Sequence, residues 1–561
     1  MKIDRRRLLA ALGLGGAAVA GKAGAHESHG HVAFNHGVAS GDPLQDRVIF
    51  WTRVTPPQGH TAQIQGELRV GTDAKLEREG LAAFVKVGAA LDNDWTVKVD
   101  VKDLKPGTEY FYQFRFGEAV SPVGRTRTLP EGPTDSVVLA VASCSLYPNG
   151  YFNAYQAIAD LDRVDAVLHL GDYIYEYGAG PNDYGMTSPV AKARPHDPPH
   201  EIVSLADYRR RHAQYKSDPA LQAAHARAPW ITVWDDHETA NDSWLNGAEN
   251  HNPDKGEGDW AVRKAAALKA YYEWMPIRPA AGALPEAIQR SFRFGDLARL
   301  MMVETRLLAR AEPLEIEQTL MKDGRPDIAG FQAALADPSR QLLGEVQERW
   351  LAAELASSTA AGETWQVLGN QIVMGRVFAP NLQKTMGDAA YGAMMAQLPA
   401  FIRERVAISN AMSALPVPVN IDQWDGYPAV RERVYDMFKA AKARPIVLAG
   451  DSHSFWANEL HDAAGALVAA EFGTTGITSP GFEDLLPGAP LGKALVERNS
   501  EVKYANSAAK GFVLLTLTKT GATAEMMAVS TILERDFGTA PAATFKVAPL
   551  ADGGVGPLAA G

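Results

Sequence analysis

AVLHLGDYIY, residues 166–175, passes without a break from a short apolar run to a carboxylate flanked by tyrosines. Ala166–Leu170 is short and bounded by glycine, the pattern of a strand buried in a sheet. Three other stretches repeat the layout. Val137–Ala142 runs into Ser143-Cys144-Ser145, Trp230–Trp234 ends in Asp235-Asp236-His237-Glu238, and Ile446–Ala449 ends in Gly450-Asp451-Ser452-His453. In sheet proteins ligands collect beyond the carboxyl ends of strands, so these four ends are expected to converge on one site. Carboxylates, imidazole, phenolate and thiolate offered together suit hard and intermediate cations, iron and calcium included.

The chain around these motifs is 561 residues long, too long for one ordinary core, and two or more domains are expected. With 46% hydrophobic and 22% charged residues it has the composition of a folded globular protein. A formal net charge of -11 argues against nucleic acid as an electrostatic partner, so no nucleic-acid-binding module is expected. The single cysteine, Cys144, excludes an internal disulfide framework. A lone cysteine is ordinarily a small core residue. Its place at a strand end between two serines favours metal ligation instead.

Asp4-Arg5-Arg6-Arg7-Leu8-Leu9 is a twin-arginine pattern, followed by an apolar stretch to Ala20 and a small-residue cleavage site at Ala23-Gly24-Ala25. Residues 1–25 are therefore expected to be a signal peptide read by the twin-arginine export machinery, cleaved after Ala25. The destination is the periplasm or the exterior. The apolar stretch is shorter than the roughly 20 residues of a membrane-spanning helix, and no second hydrophobic span follows. No stable membrane span is expected after cleavage.

Residues 26–131 read as all-β, with short runs such as Val48–Trp51 and Phe84–Val87 between turn signals. Leu104–Tyr112 has the look of a loop entering a strand at a tyrosine corner. Thr126–Asp135, with two prolines and a glycine, reads as a linker. Beyond it, helical patterns at Tyr151–Leu161 and Gly258–Trp274 alternate with strand candidates at Leu300–Val303, Trp365–Leu368 and Ile446–Leu448. That alternation predicts a layered α/β (α+β) domain with a partly parallel sheet over 132–538, preceded by a small fibronectin/Ig-like β-sandwich. Asn182–His200 is expected to be a long surface loop. Residues 539–561, rich in Ala, Gly and Pro, are expected to form a flexible tail.

Within Gly171-Asp172-x-x-Tyr175, glycine lets the backbone turn sharply off the strand, and Asp172 is placed to bridge two metal ions. Tyr175 falls where a phenolate reaches one of them; ferric iron favours that ligand. Asp235-Asp236-His237-Glu238-Thr239-Ala240-Asn241-Asp242 concentrates acids that repel one another unless paired or metal-bound. A solvated helix start rich in acids is the bland alternative, but it leaves the apolar run before it unexplained. His237 is the candidate to donate a proton to a leaving oxygen or to bind a phosphoryl group. Asp451 and His453 are candidate ligands. Asn370 is a weaker candidate for substrate binding. Arg306 either clamps phosphate bidentately or pairs with Glu304.

The chain resembles the PhoD-type alkaline phosphatase and phosphodiesterase family, related to purple acid phosphatases. The likeness rests on Phe34–Pro43, Asp46–Arg53, Ser143-Cys144-Ser145, His169–Tyr177, Trp234–Glu238 and Gly450–Trp456. The resemblance implies one ferric ion with one or two calcium ions. Cys144, Asp172 and Tyr175 would hold iron, Asp172 bridging to calcium; Asp235 and Asp242 would serve calcium, and Asp451 and His453 would complete the cluster. Purple acid phosphatases place one amide directly before the histidine, a position that points to Asp236 instead of Asp235, and Asn241 stands beside Asp242. The reading is an exported metal-dependent phosphoesterase for small phosphate esters, monoesters or diesters, with a metal-activated hydroxide attacking in line. The alternatives are a phospholipase D-like diesterase acting on phospholipid head groups, and a non-catalytic exported metal- or phosphate-binding protein.

Overall fold

In the computed structural model, residues 32–279, 282, 284–322 and 325–561 are described; the expected signal peptide, 1–25, lies outside them. Seven strands carry the site: β1 (Ser136–Ala142), β2 (Ala166–His169), β3 (Trp230–Thr232), β4 (Ala298–Met302), β5 (Trp365–Gly369), β6 (Pro445–Ala449) and β7 (Leu467–Gly473). β1, β2 and β3 pair in parallel inside a ten-stranded sheet. β4 to β7 pair in parallel inside a seven-stranded one. Each is short and apolar because both of its faces are covered.

The two sheets share one core. Leu139, Val141 and Leu168 lie in the same buried cluster as Val367, Ile446, Leu448 and Phe472. Alternate residues of the second sheet turn the other way. Leu368 and Val447 pack with Leu351 and Leu355 of the helix Glu345–Ala360 and with Val430 and Val434 of the helix Pro428–Ala440. This is the period-two alternation of a strand between two apolar layers. It gives the layered α/β body, with both sets of parallel strands ending in clusters of polar loops.

The N-terminal region is all-β, as expected, with Tyr110 Oη accepting from the Lys105 amide at 2.8 Å to make the tyrosine corner. It is joined to the body more closely than a linker implies. Val38–Gly41, Val48–Arg53 and Thr96–Val101 extend the ten-stranded sheet through a parallel bridge between Gly41 and Trp230. A Cβ on Gly41 would stand 2.6 Å from the Trp230 carbonyl oxygen, so only glycine permits this join. The opposing sheet packs Leu68, Val70, Tyr112 and Phe114 onto Val48 and Phe50.

Three expectations are corrected. Thr126, assigned to the linker, belongs to the strand Gly124–Arg127 and accepts a hydrogen bond from Ser40 Oγ at 2.8 Å. Asn182–His200 has the irregular backbone of a loop but is not merely superficial. Arg194 in it is buried, paired with Asp218 at 2.9 Å and stacked 3.8 Å over the Tyr147 ring. The tail holds a strand, Thr539–Val547, paired antiparallel to Ala522–Val529 with Phe545 and Val547 buried. Small residues there hide the apolar signal, while the ladder needs only backbone groups. Among the described residues no helix is long and apolar enough to cross a membrane.

Candidate metal centre and active site

At the carboxyl ends of these strands the backbone is bent into a conformation that side chains rarely adopt. Cys144 after β1 has φ 61°, Asp172 after β2 φ 55°, and Asp451 and His453 after β6 φ 59° and 53°. Left-handed residues other than glycine cost free energy and persist where the surroundings force them, as at functional sites. Two glycines let the loops close up. A Cβ on Gly171 (φ 104°) would lie 2.3 Å from Asp235 Cβ, and one on Gly450 would lie 2.5 Å from Ser143 Oγ. Glu238 then clasps two loops together, accepting from the amides of Asp172 at 2.9 Å and Asp235 at 2.7 Å, and from those of Tyr173 and Ile174.

The result is a buried convergence of ligand atoms. Atoms of Cys144, Asp172 and His453 lie within 4.8 Å of one another, as do those of Asp172, Asp236 and His237, and those of Asp172, Asp235, Asp236 and Asp451. Asp172 belongs to all three groups. Tyr175 Oη donates to Asp172 Oδ2 at 3.1 Å and lies 3.3 Å from His453 Nε2 and 2.6 Å from Ser479 Oγ. His453 Nδ1 sits 2.9 Å from the Pro480 carbonyl oxygen, an arrangement that fixes the ring and turns Nε2 to the centre.

The electrostatics fit cations. Asp172 Oδ1 and Asp235 Oδ2 are buried without a hydrogen-bond partner, which is costly for carboxylate oxygens unless a positive ion meets them. Burial first, with the repulsion of Asp236 added, pushes the Asp172 and Asp235 carboxyls well above the usual range. Burial and Asp172 do the same to the Cys144 thiol and the Tyr175 phenol. Cations at this point reverse that balance and favour the ionised ligands. Burial holds His453 down at about 3, as the neutral imidazole a metal requires.

His237 behaves differently. Burial opposes its charge, yet Asp236, Glu176 and Asp172 together raise it well above the ordinary value. Its Nδ1 lies 2.7 Å from Glu176 Oε2.

Other expected residues are placed elsewhere. Arg306 is enclosed by acids instead of facing an open phosphate position. Its guanidinium donates to Asp235, to Asp422 at 2.9 and 2.8 Å, and to Asp451 at 3.1 Å, with Asp236 at 3.8 Å. Glu304 accepts from the Arg306 amide, not from its side chain. Both ends of the Asn370 amide are used: Oδ1 accepts from Trp424 Nε1 at 3.1 Å and Nδ2 donates to the Ile372 carbonyl. It closes a loop and is fully buried. Asp242 stands outside the three convergent groups; its amide donates to Asp236 Oδ2 at 2.6 Å, and burial with Asp422 and Asp236 pushes its carboxyl up to about 8. Asn241 turns its side chain to Glu249 at 3.4 Å. Four residues at the centre escaped the strand-end rule: Glu176, Asp422, Gln423 and Ser479. Gln423 donates to Asp451 Oδ2. Asp422 and Gln423 follow no strand, and Ser479 lies several residues past β7; only the acid-amide pair beside buried Trp424 hinted at them.

Two facing sheets whose parallel strands end at one acid-rich, buried centre define a layered α/β protein with candidate metal ligands. The chain belongs to the PhoD-like phosphatase family: the family model matches residues 139–526, and the model of its N-terminal domain matches residues 19–130. It is 36% identical over 465 residues to alkaline phosphatase D of Bacillus subtilis (strain 168), a match spanning 80% of this chain and 70% of that one. It is also similar to the solved structure of PhoD, with a TM-score of 0.75 and 30% identity, covering 94% of this chain and 92% of the other.

Proposed function

We propose that the protein is an exported phosphoesterase whose centre takes one ferric ion and one or two calcium ions and acts on phosphate monoesters, diesters or both. The observation that carries the reading is Asp172, shared by three convergent ligand groups and left with an unpartnered buried oxygen. Cys144, Asp172, Tyr175 and His453 form the mixed thiolate, oxygen and imidazole set that suits iron. Asp172, Asp235, Asp236 and Asp451 form the oxygen-only set that suits calcium. When bound, these ions supply Lewis-acid neutralisation of the phosphoryl oxygens and acidify water.

The rest is done by the chain. Glu238 holds the loops of Asp172 and Asp235 in register, and Ser479 and Gln423 orient Tyr175 and Asp451. Arg306 lowers the repulsion among Asp235, Asp422 and Asp451. His237 donates the proton that an alkoxide leaving group needs. The twin-arginine segment at residues 5–6 directs export, with cleavage after Ala25.

Elemental analysis of natively exported protein, paired with turnover of alkyl and nitrophenyl phosphate mono- and diesters, tests the proposal. Iron and calcium that co-purify and are both required for turnover are expected. Full activity without either metal overturns the ligand assignment. His237→Ala is expected to slow alkyl esters about 10²–10⁴-fold, with nitrophenyl esters far less affected and metal content unchanged.

A further inference from the structure

Glu176 is fully buried, and each of its oxygens is committed. Oε2 lies 2.7 Å from His237 Nδ1; Oε1 accepts from the Asn241 amide at 2.9 Å and from Asn250 Nδ2 at 2.8 Å. These bonds tie the turn after β3 to the loop that carries Asn250, which Arg263 holds in turn through the Asn250 carbonyl at 2.9 Å. The Glu176 backbone is itself anchored: its carbonyl accepts from the Ile202 amide at 2.9 Å, and Arg211 donates to the preceding carbonyl of Tyr175. The His237 ring lies between Tyr175, with centroids 4.2 Å apart, and Tyr177, at 5.4 Å. Among the described residues, Nε2 of His237 has no hydrogen-bond partner.

A glutamine would fill the same volume without the cost of burying a charge. The charge also faces buried Arg211 and Arg263, but among its hydrogen bonds the one to Nδ1–H is the one that the NH₂ of a glutamine could not replace. With Nδ1–H given to Glu176, the ring is held in one orientation, and Nε2 is the nitrogen left for the substrate. A carboxylate behind an active histidine serves the same purpose in unrelated hydrolases.

We propose that Glu176 is the positioning residue of His237: it fixes the imidazole so that Nε2 faces the leaving oxygen of the ester. The proposal rests on the reading that His237 serves the leaving group. Its test is a double-variant cycle of Glu176→Gln and His237→Ala, assayed on an alkyl phosphate and on nitrophenyl phosphate, with metal content and melting followed in parallel. Glu176→Gln is expected to lower kcat on the alkyl ester about 10–100-fold. On nitrophenyl phosphate, which departs without a proton, the loss stays within about 3-fold, and bound metal is unchanged. In the His237→Ala background the same substitution costs nothing further, because residues acting as one unit are not additive.

Equal losses on both esters, or a further loss without His237, reduce Glu176 to a packing role and overturn the proposal. No loss in the single variant does so too. If His237→Ala itself strips metal and slows both esters alike, the parent reading fails; if His237→Ala discriminates between esters and Glu176→Gln does not, only the positioning role fails. Should Glu176→Gln not fold, Glu176→Asp keeps the charge but withdraws it from Nδ1, and the same discrimination between esters is expected.

Discussion

Asp172 lies in every convergent group of ligand atoms at the centre, so its substitution reaches further than that of any neighbour. Asp172→Asn is expected to lower bound metal and hydrolysis together, by orders of magnitude, because water loses the activation that takes its pKa from about 15.7 towards about 7. Near-normal turnover by that variant would remove Asp172 from the ligand set. Tyr175 makes an independent optical prediction. A phenolate on ferric iron absorbs visible light, so the loaded protein is expected to be coloured, and Tyr175→Phe to bleach or shift the band. A colourless, iron-free and fully active protein would remove Tyr175 from the ligand set. At this scale the sequence was most legible where a candidate ligand lies two or three residues past a strand end, as with Cys144, Asp172, Asp235 and Asp451. It was least legible for Asp422 and Ser479, brought in by loops with no periodicity to place them. Arg306 and Asn370 meet neighbouring protein groups, which the sequence could not tell apart from a substrate: a polar side chain at a strand end looks the same in either case.

Strand ends and the loops beyond them set the geometry, and the glycines there are part of it. Gly171 combines a φ of 104° with a Cβ position 2.3 Å from Asp235 Cβ. Gly171→Ala is expected to cost about 1–3 kcal/mol in backbone strain and to push the Asp172 loop off the Asp235 turn. Melting temperature and bound metal should fall together. Retention of both would show that the loops have slack. Among elements, the short apolar strands and the helix at Trp260–Trp274 were predictable from pattern alone. The strand Thr539–Val547 was not, because a ladder built on alanine and threonine carries little apolar signal.

At the scale of the whole molecule, the centre stripped of ions would hold protons. Burial, with Asp422 and Asp236 adding and Arg306 opposing, pushes Asp451 up to about 7, and Asp242 reaches about 8. Both start from 3.8 in the unfolded chain. The stability they contribute is complete below about pH 4 and is lost as pH rises through the folded values. His237, also raised, acts in the same direction. In chelator-treated protein Asp242→Asn, which removes its share of that loss, is therefore expected to raise the melting temperature over that of the unsubstituted protein by more at pH 8.5 than at pH 5; the buried histidines, held low and acting in the opposite direction, are common to both proteins. An effect of Asp242→Asn that is equal at the two pH values would contradict this charge balance.

The strand Val38–Gly41 lies against the β3 edge, and the sheet runs on through it into the N-terminal region. Deleting residues 26–131 therefore does not remove an appendage; it opens a raw margin on the strand that leads to Asp235, the kind of surface that pairs with other chains. The truncated protein is expected to aggregate on refolding, and the intact one to unfold in a single calorimetric step. A soluble, active truncation would refute this. The seam also restricts how such an enzyme is assembled over generations. A module that donates strands to its neighbour's sheet cannot be lent out, exchanged or discarded as a cassette, so changes on either side of Gly41 and Trp230 must remain in step.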